Sequence, residues 1–178
     1  MRGFTLVELL VTLAVLAVIL TIAVPGFQDF VRRNRLASET NNLVSALAIA
    51  RSEAIKRGQI VTVCKTANPD VPNPVCAAGA SWENGFIVFT DGGVRGTIDG
   101  NDERLKVQQA GGANGPAIAA SASFANTVSY AASGAAVTNN AIRDIPTSGS
   151  FTVCLNSVSR EIDVALSGRV STTPGVCP

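Results

Sequence analysis

Apolar and polar residues are distributed so unevenly along the chain that three sections can be separated by pattern alone. Residues 4–24 are almost wholly apolar. Residues 25–57 are polar, but apolar residues recur in them at the spacings that form one stripe along an α-helix. That stripe comprises Leu36, Leu43, Leu47, Ala50 and Ala54. From residue 58 onward, short β-branched runs alternate with turn-forming clusters. The pattern predicts one long helix followed by a β-rich globular domain.

Pro25 is the main interruption of the helical pattern. A proline inside a helix removes one backbone hydrogen bond and clashes with the preceding turn, so we expect a kink or a break there. Gly58 follows two basic residues and is predicted to cap the end of the helix. A continuous helix of this length would extend about 80 Å at 1.5 Å per residue. About half of it must therefore project from a domain of this size.

Seven segments of the last section are predicted to be strands, because β-branched or aromatic residues are bounded there by turn residues. They are residues 60–64, 86–90, 104–108, 123–131, 150–155, 161–165 and 168–171. Trp82 and the run Phe86 to Phe89 are expected to lie in the core, with Gly85 allowing close backbone packing.

The composition of the chain argues against several functional classes of protein. The chain has 178 residues, enough for one ordinary domain plus an appendage, and a net charge of +1 that favours no charged partner. It contains no histidine, the commonest general base and metal ligand. No nucleophile–base pair, phosphate loop or metal constellation stands out in the sequence. We therefore expect neither an enzyme nor a bound cofactor.

One turn-rich loop gathers oxygen ligands of the kind that calcium prefers. Its candidates are Asp91, Asp99, Asn101, Asp102 and Glu103. The order of these residues lacks the spacing of an EF-hand loop, and turn chemistry explains them better. No metal site is predicted.

The four cysteines all follow the apolar section: Cys64, Cys76, Cys154 and Cys177. An even number of cysteines behind a membrane-entry signal favours two disulfides in an oxidising compartment. Three pairings are possible, and we favour Cys64–Cys76 with Cys154–Cys177 because each closes a short loop. Four free thiols are the alternative, and metal binding is disfavoured because no C-x-x-C spacing occurs.

The apolar section fits neither an ordinary signal peptide nor a plain membrane anchor. Only Arg2 precedes it as a basic residue, no small-residue cleavage site follows it, and Glu8 lies near its start. Basic residues are more numerous after the section than before it, which by the positive-inside rule would leave the domain in the cytoplasm. That expectation conflicts with the disulfides, and we give the cysteines more weight.

Residues 3–8, Gly-Phe-Thr-Leu-Val-Glu, resemble the processing motif of type IV prepilins and type II secretion pseudopilins. The resemblance implies that a prepilin peptidase removes residues 1–3 after Gly3 and that the new amine of Phe4 is methylated. It also implies a helix over residues 4–57, with 4–24 in the membrane or the filament core, and a head over 58–178.

Glu8 then has a physical explanation. The mature amine of a neighbouring subunit can pair with its carboxylate, and two paired charges in an apolar setting cost far less than one alone. Glu8 would thereby set the register of filament assembly. The alternative is a side chain that reaches the lipid headgroups from near the start of the helix.

Two further stretches resemble the GspH/FimT group, which includes the minor pilins FimT and FimU. One runs from Leu43 to Cys64, and the other, Trp82 to Asp91, matches its W-x-x-G-x-x-V-F-x-D element. The resemblance implies an α+β fold in which the long helix packs on an antiparallel β-rich domain. Within the first stretch, Arg51 and Glu53 are alternatively interpreted as solvated residues on an exposed helix face.

The resemblance implies the function of a minor pilin, assembled with other major and minor pilins into a type IV pilus, where it primes assembly or belongs to the tip complex. Before assembly it would be a single-pass inner-membrane protein with a periplasmic head, and afterwards part of an extracellular pilus. A GspH-type pseudopilin of type II secretion is one alternative.

A DNA receptor for natural transformation is the other alternative. Some FimT members use a C-terminal G-R-x-R motif, but here Gly168-Arg169 is followed by Val170 and Ser171, so the second arginine is missing. Arg169 could contact a phosphate with help from Arg160 or Arg143, although one arginine supplies little affinity at physiological salt.

Overall fold

A computed structural model of the chain describes residues 3–112, 114–138 and 144–177, apart from the side chains of Ile22 and Pro25. Arg143, one of the candidate DNA contacts, lies outside the described residues. The chain divides into two units, Met1–Asn34 and Arg35–Pro178. One helix, α1 (Leu6–Arg57), contributes its first part to one unit and its second part to the other.

The first unit contains the apolar part of α1. All side chains described between residues 3 and 30 are exposed. The mean hydropathy of an 18-residue window reaches 2.8, so by length and composition α1 could cross a membrane. The helical backbone continues through Pro25, and no break occurs there. Because the Pro25 side chain is not among those described, the kink stays a prediction.

The second unit contains two antiparallel sheets. The five-stranded sheet has the order β3-β2-β1-β5-β6. Its strands are β1 (Val61–Lys65), β2 (Phe86–Thr90), β3 (Arg104–Gln108), β5 (Thr127–Tyr130) and β6 (Ala136–Val137). The four-stranded sheet has the order β4-β7-β8-β9. Its strands are β4 (Ala117–Ala120), β7 (Gly149–Leu155), β8 (Val158–Val164) and β9 (Val170–Pro174).

The helix stripe predicted from the sequence forms one wall of the core. All five of its residues are buried, with Leu36 2% exposed and the others fully covered. They pack in one cluster with residues of both sheets, including Val63, Val88, Phe151 and Ile162. Burying a leucine contributes about 1.5–3 kcal/mol, so this stripe is what joins the amphipathic half of α1 to the head.

Aromatic residues fill the region around one end of the four-stranded sheet. The ring of Trp82 meets that of Phe151 edge to face at 5.0 Å, and Phe124 stacks on Phe151 at 5.6 Å. The indole Nε1 of Trp82 donates to the carbonyl of Phe124 at 3.2 Å. Trp82 is 3% exposed, and Phe86 to Phe89 are all buried, so their assignment to the core is confirmed.

The strands follow the sequence prediction where β-branched or aromatic residues form a compact run. β2 and β3 have the predicted bounds, and β1, β7, β8 and β9 are shifted or extended by a few residues. The predicted strand over 123–131 is wrong in its first part, because residues 122–124 form a 3₁₀ turn before β5. β4 and β6 were not predicted, because short alanine-rich segments have low strand propensity.

Two disulfides are present, with the pairing that the sequence favours. Cys64 of β1 bridges to Cys76, and Cys154 of β7 bridges to Cys177. The first bridge lies in a small second core on the far face of the five-stranded sheet, where Cys64, Ile87 and Phe89 are fully buried. It therefore fixes the loop between β1 and β2 against that face.

Candidate functional site

The start of α1 is organised by Thr5 and Glu8. Gly3 and Phe4 precede the helix in an irregular, exposed segment. The hydroxyl of Thr5 accepts a hydrogen bond from the backbone N–H of Glu8 at 3.3 Å, which is how a residue caps a helix N-terminus. A carboxylate in the first turn is also favoured by the positive end of the helix dipole. The pattern T-x-x-E signals such a cap in a sequence, although Thr5 was not among the predicted residues.

The hydroxyls within the apolar section are bonded inside the helix. Thr12 donates to the carbonyl of Leu9 at 2.8 Å, and Thr21 donates to that of Val18 at 2.7 Å. Satisfied hydroxyls cost little in an apolar environment. Glu8 is the one charged residue between residues 4 and 24, so it is the polar side chain of this stretch that still needs an explanation.

In the head, Arg51 joins α1 to two turns. Its Nε donates to the carbonyl of Gly134 and its Nη2 to that of Ser167, both at 3.0 Å. Gly134 lies in the turn between β5 and β6, and Ser167 in the turn between β8 and β9. The interpretation of Arg51 as a solvated residue is thus wrong. Its partners are 83 and 116 residues away, which helix periodicity cannot reveal.

The glycine of the Gly168-Arg169 pair has a structural role in the same place. Gly168 is buried and has a φ of +74°, a conformation that favours glycine. A Cβ at this position would collide with the carbonyl of Gly134 and lie 3.1 Å from the ring of Tyr130. The turn between β8 and β9 therefore approaches the turn between β5 and β6 as closely as backbone allows.

Glu53 is not a freely solvated residue either. It forms ion pairs with Arg57 at 2.6 Å and with Lys56 at 3.4 Å, and Arg57 also reaches Glu103 at 2.6 Å. The hydrogen bond from Arg57 is the main cause that lowers the pKa of Glu53. Exposed ion pairs of this kind contribute little to stability. We therefore infer that these pairs orient the C-terminal end of α1.

The two candidate DNA contacts are separated by the length of a strand. Arg169 is exposed and lies just before β9, in the turn where its carbonyl accepts from Ala165. Arg160 lies at the other end of β8, opposite Pro174. Five residues of strand put them roughly 17 Å apart. Asp163 lines the same open depression as Arg169, so an acidic group lies beside the one guanidinium among its described lining residues.

In the loop between β2 and β3, the carboxylates of Asp99 and Asp102 accept hydrogen bonds from backbone N–H groups of the same loop. Asp99 accepts from the N–H of Val94 at 2.9 Å, and Asp102 accepts from those of Gly92 at 2.9 Å and Asp99 at 3.1 Å. These bonds hold a tight loop, as turn chemistry predicts. Within residues 3–112, 114–138 and 144–177, no group of three His, Cys, Asp or Glu residues could hold a metal.

Asp91 directly follows β2 and lies in a buried polar cluster. One of its oxygens accepts from the hydroxyl of Thr62 and from the N–H of Gly96, and Thr62 also bonds to Ser129 at 2.7 Å. The other oxygen is buried without a protein partner among the described residues. Desolvation by burial raises the pKa of this carboxyl above its ordinary value.

Comparison with known proteins identifies the family. The model of the family described as Type II transport protein GspH matches residues 39–168, most of the chain. The chain belongs to the GspH family. A second model, the prokaryotic N-terminal methylation motif, matches residues 1–24. The membership predicted from the sequence is thereby confirmed, and proteins of this pilin and pseudopilin class are structural proteins, not enzymes.

Relatives of this GspH-family chain include fimbrial proteins. A fimbrial protein of Pseudomonas aeruginosa is 34% identical over 65 residues, which cover 36% of this chain and 42% of that protein. Fimbrial protein EcpC of Eikenella corrodens is 31% identical over 114 residues, 59% of this chain and 73% of that protein. The chain thus spans about two fifths of the length of the first of these relatives.

The fold of the head has a solved counterpart. A crystal structure of the type IV minor pilin FimU of Pseudomonas aeruginosa superimposes with a TM-score of 0.57, covering 82% of this chain and 92% of that one. The identity is 19%, so the likeness concerns the fold. The predicted α+β architecture, a long N-terminal helix followed by antiparallel sheets, is confirmed.

Proposed function

We propose that this chain is a minor pilin that is assembled with other pilins into a type IV pilus, where it primes assembly or forms part of the tip complex. The observation that carries the proposal is the joint presence of two features in one chain. The side chains of residues 4–21 are almost all apolar and are all exposed, and the head has the fold of FimU. An apolar helix of this length requires lipid or other subunits around it.

The proposed maturation follows from the N-terminal motif. A prepilin peptidase cuts between Gly3 and Phe4, and the new amine of Phe4 is methylated. Both residues are exposed and precede the helix, so the bond is accessible without unwinding α1. Before assembly, residues 4–24 span the inner membrane and the head is periplasmic, an oxidising environment that suits two disulfides. After assembly, the same residues lie in the filament core.

Glu8 has the proposed role of setting the register between subunits. Its backbone N–H is bonded to Thr5, which orders the first turn and directs the side chain from a fixed position. The carboxylate then pairs with the mature amine of a neighbour in an apolar setting, where an unpaired charge would cost several kcal/mol (about 3–5). The helix cap and the charge pair are separate functions of the same short motif.

The first test replaces Glu8 with glutamine and with alanine. Both variants remove the charge, and glutamine keeps a side chain that can complete a helix cap. We expect both to enter sheared pili at about a tenth of the wild-type level or less, because each loses the charge pair. The thermal unfolding of the head should be unchanged. Wild-type incorporation of the glutamine variant would contradict the assigned role of Glu8.

A GspH-type pseudopilin of type II secretion is the second candidate, and it is favoured by the name of the matching family. Deletion of the gene in its own bacterium separates the two. A minor pilin is needed for surface pili, whereas a pseudopilin is needed for the release of secreted enzymes. Loss of secretion with normal pili would favour the second candidate.

DNA reception through Arg169 and Arg160 is the least supported candidate. A strand separates the two side chains, and Asp163 lies beside Arg169. Phosphate binding relies on clustered positive charge, which these positions do not provide.

A further inference from the structure

Two bands of side chains follow the apolar section, and both lie in the first unit of the chain. Phe27 and Phe30 form an aromatic band and are 67% and 62% exposed. Arg32 and Arg33 form a basic band just after it. Neither band belongs to the core clusters of the head. Exposed aromatic rings next to an apolar helix indicate an interaction surface, which we call the 27–33 segment.

The rise of the helix gives the level of each band in a bilayer. At 1.5 Å per residue, residues 4–24 extend about 30 Å, the thickness of the hydrocarbon core. Phe27 then lies about 5 Å beyond the hydrocarbon and Phe30 about 9 Å beyond it, within the headgroup layer and at its outer edge. Aromatic side chains are favoured in this interfacial layer. The basic band follows at about 12–14 Å.

The direction of the helix brings the guanidinium groups back to the same layer. Each Cα–Cβ bond of an α-helix tilts toward the N-terminus, which here is the membrane side of the segment. Arg32 shows this tilt, because its Nη1 donates to Asp29 at 3.1 Å, one turn nearer the apolar section. An arginine side chain reaches about 6 Å, so the charged ends of Arg32 and Arg33 return to the headgroup layer.

Arg33 supplies the uncompensated positive charge of the segment. It is exposed, and no acidic side chain among the described residues forms an ion pair with it. Arg32 is already paired with Asp29, whose side chain is 65% exposed. A guanidinium carries several N–H donors and binds phosphate through two parallel hydrogen bonds. Arg33 therefore matches the phosphate of a lipid headgroup.

The angular distribution of these side chains favours a lipid layer over a protein partner. At 100° per residue, Arg32 lies about 140° around the helix from Phe27 and about 160° from Phe30. A partner protein contacts one face of a helix, whereas a lipid layer surrounds the helix at a given depth. Side chains that are sorted by depth and spread around the axis therefore fit a membrane surface.

We infer that the 27–33 segment binds the headgroup layer of the periplasmic leaflet, with its two aromatic rings among the headgroups and Arg33 on the phosphate of an anionic phospholipid. The inference rests on the proposed insertion of residues 4–24 and names the surface that the helix meets where it leaves the bilayer. Anchoring at this end also fixes the depth of Glu8, about 28 Å from Phe27 along α1, before the filament forms. The arginines of the segment thereby have a role that is compatible with a periplasmic head.

The first test measures which lipids contact the full chain in reconstituted vesicles. The vesicles consist of phosphatidylcholine with a trace of spin-labelled lipid, and electron paramagnetic resonance gives the fraction of that lipid held at the protein surface. We expect the wild type to select spin-labelled phosphatidylglycerol over phosphatidylcholine by about threefold. Arg33→Gln should lower this selectivity by at least about twofold, because it removes the uncompensated charge. Arg33→Lys keeps the charge and should stay near wild type.

Arg160→Gln is the matched control for this measurement, because it removes the same charge from an exposed arginine of the head. Its lipid selectivity should equal that of the wild type. Unchanged selectivity in Arg33→Gln, or an equal loss in Arg160→Gln, would overturn the inference.

A second test locates the aromatic band. Phe27→Trp is measured in vesicles whose acyl chains carry bromine close to the headgroup, which quenches the fluorescence of a nearby indole. The wild type gives the background, since its one tryptophan, Trp82, is 3% exposed in the head. Leu166→Trp is the matched control, because Leu166 is a head residue that is 53% exposed. We expect quenching in Phe27→Trp to exceed that in the control by at least about twofold, and equal quenching at the two positions would refute the contact.

The outcomes separate this inference from the proposed function. If the wild type shows the selectivity and Phe27→Trp the quenching, but the chain is absent from pili, the proposed function fails and the lipid contact stands. If the chain enters pili normally but shows neither, only the lipid contact fails. If Phe27→Trp is quenched no more than the control while Phe27→Ala lowers the amount of other pilins that co-purify, the segment binds a protein partner and the inference is overturned.

Discussion

At the scale of single residues, Arg51 makes hydrogen bonds that no neighbour in sequence can replace. Its guanidinium bonds two carbonyls at 3.0 Å, one in each of two turns. We expect Arg51→Met to lower the free energy of unfolding by about 1–2 kcal/mol, because the part-buried bond to the carbonyl of Gly134 and the exposed bond to that of Ser167 both lose a charged donor. Chemical denaturation measures the change. Arg35→Met on the exposed side of the helix should stay within about 0.5 kcal/mol of wild type; an equal loss in both variants would contradict the role of Arg51.

Asp91 gives a residue-scale prediction for pH. Burial raises the pKa of Asp91 in the folded protein. At pH values between the ordinary carboxyl pKa of about 4 and this raised pKa, the folded protein therefore binds more protons than the unfolded chain. Its contribution to the free energy of unfolding therefore falls as pH rises through that window. Asp91→Asn keeps an acceptor for Thr62 and Gly96 but does not titrate. The stability of the variant relative to wild type should increase from about pH 4 to about pH 7, and a pH-independent difference would count against this explanation.

At the scale of elements, the turn between β8 and β9 depends on Gly168. Alanine at this position would lower the stability of the fold for two reasons. A positive φ costs about 1–2 kcal/mol for a residue with a side chain, and the added methyl group would collide with the turn between β5 and β6. Gly112 has a φ of +82°, and a methyl group added to it would have nothing within 4 Å, so Gly112→Ala isolates the first cost. We expect Gly168→Ala to lose at least about 1 kcal/mol more than Gly112→Ala. Equal losses in thermal unfolding would show that the close approach is unimportant.

The elements also show what a sequence can predict. The residues of the stripe from Leu36 to Ala54 recur with the period of an α-helix, which predicts that they share one buried face. All five are buried. β2 and β3 are compact runs with turn residues on both sides, and their bounds were correct. β4 has no such signal, because its pairing with β7 depends on a distant segment. Arg51 was misjudged for the same reason, since both of its partners are remote.

At the scale of the whole molecule, the exposed apolar helix should control where the chain is found. Leu13→Arg places a charge within the apolar section, which costs about 2.5–3.5 kcal/mol near the centre of a span. We expect a marked loss of the chain from the membrane fraction after cell breakage. Leu166 is 53% exposed in the head, the same as Leu13, so Leu166→Arg is a matched control. Membrane association that survives Leu13→Arg unchanged would contradict insertion of this section.

The bonds of Arg51 also have a mechanical consequence. In the filament that the proposed function implies, load would pass through the helices, and in this head one side chain of the helix bonds to a turn of each sheet. A pull that reaches the second half of α1 is therefore shared between two sheets in parallel. We therefore expect Arg51 to divide such a load between the two sheets as well as to stabilise the head.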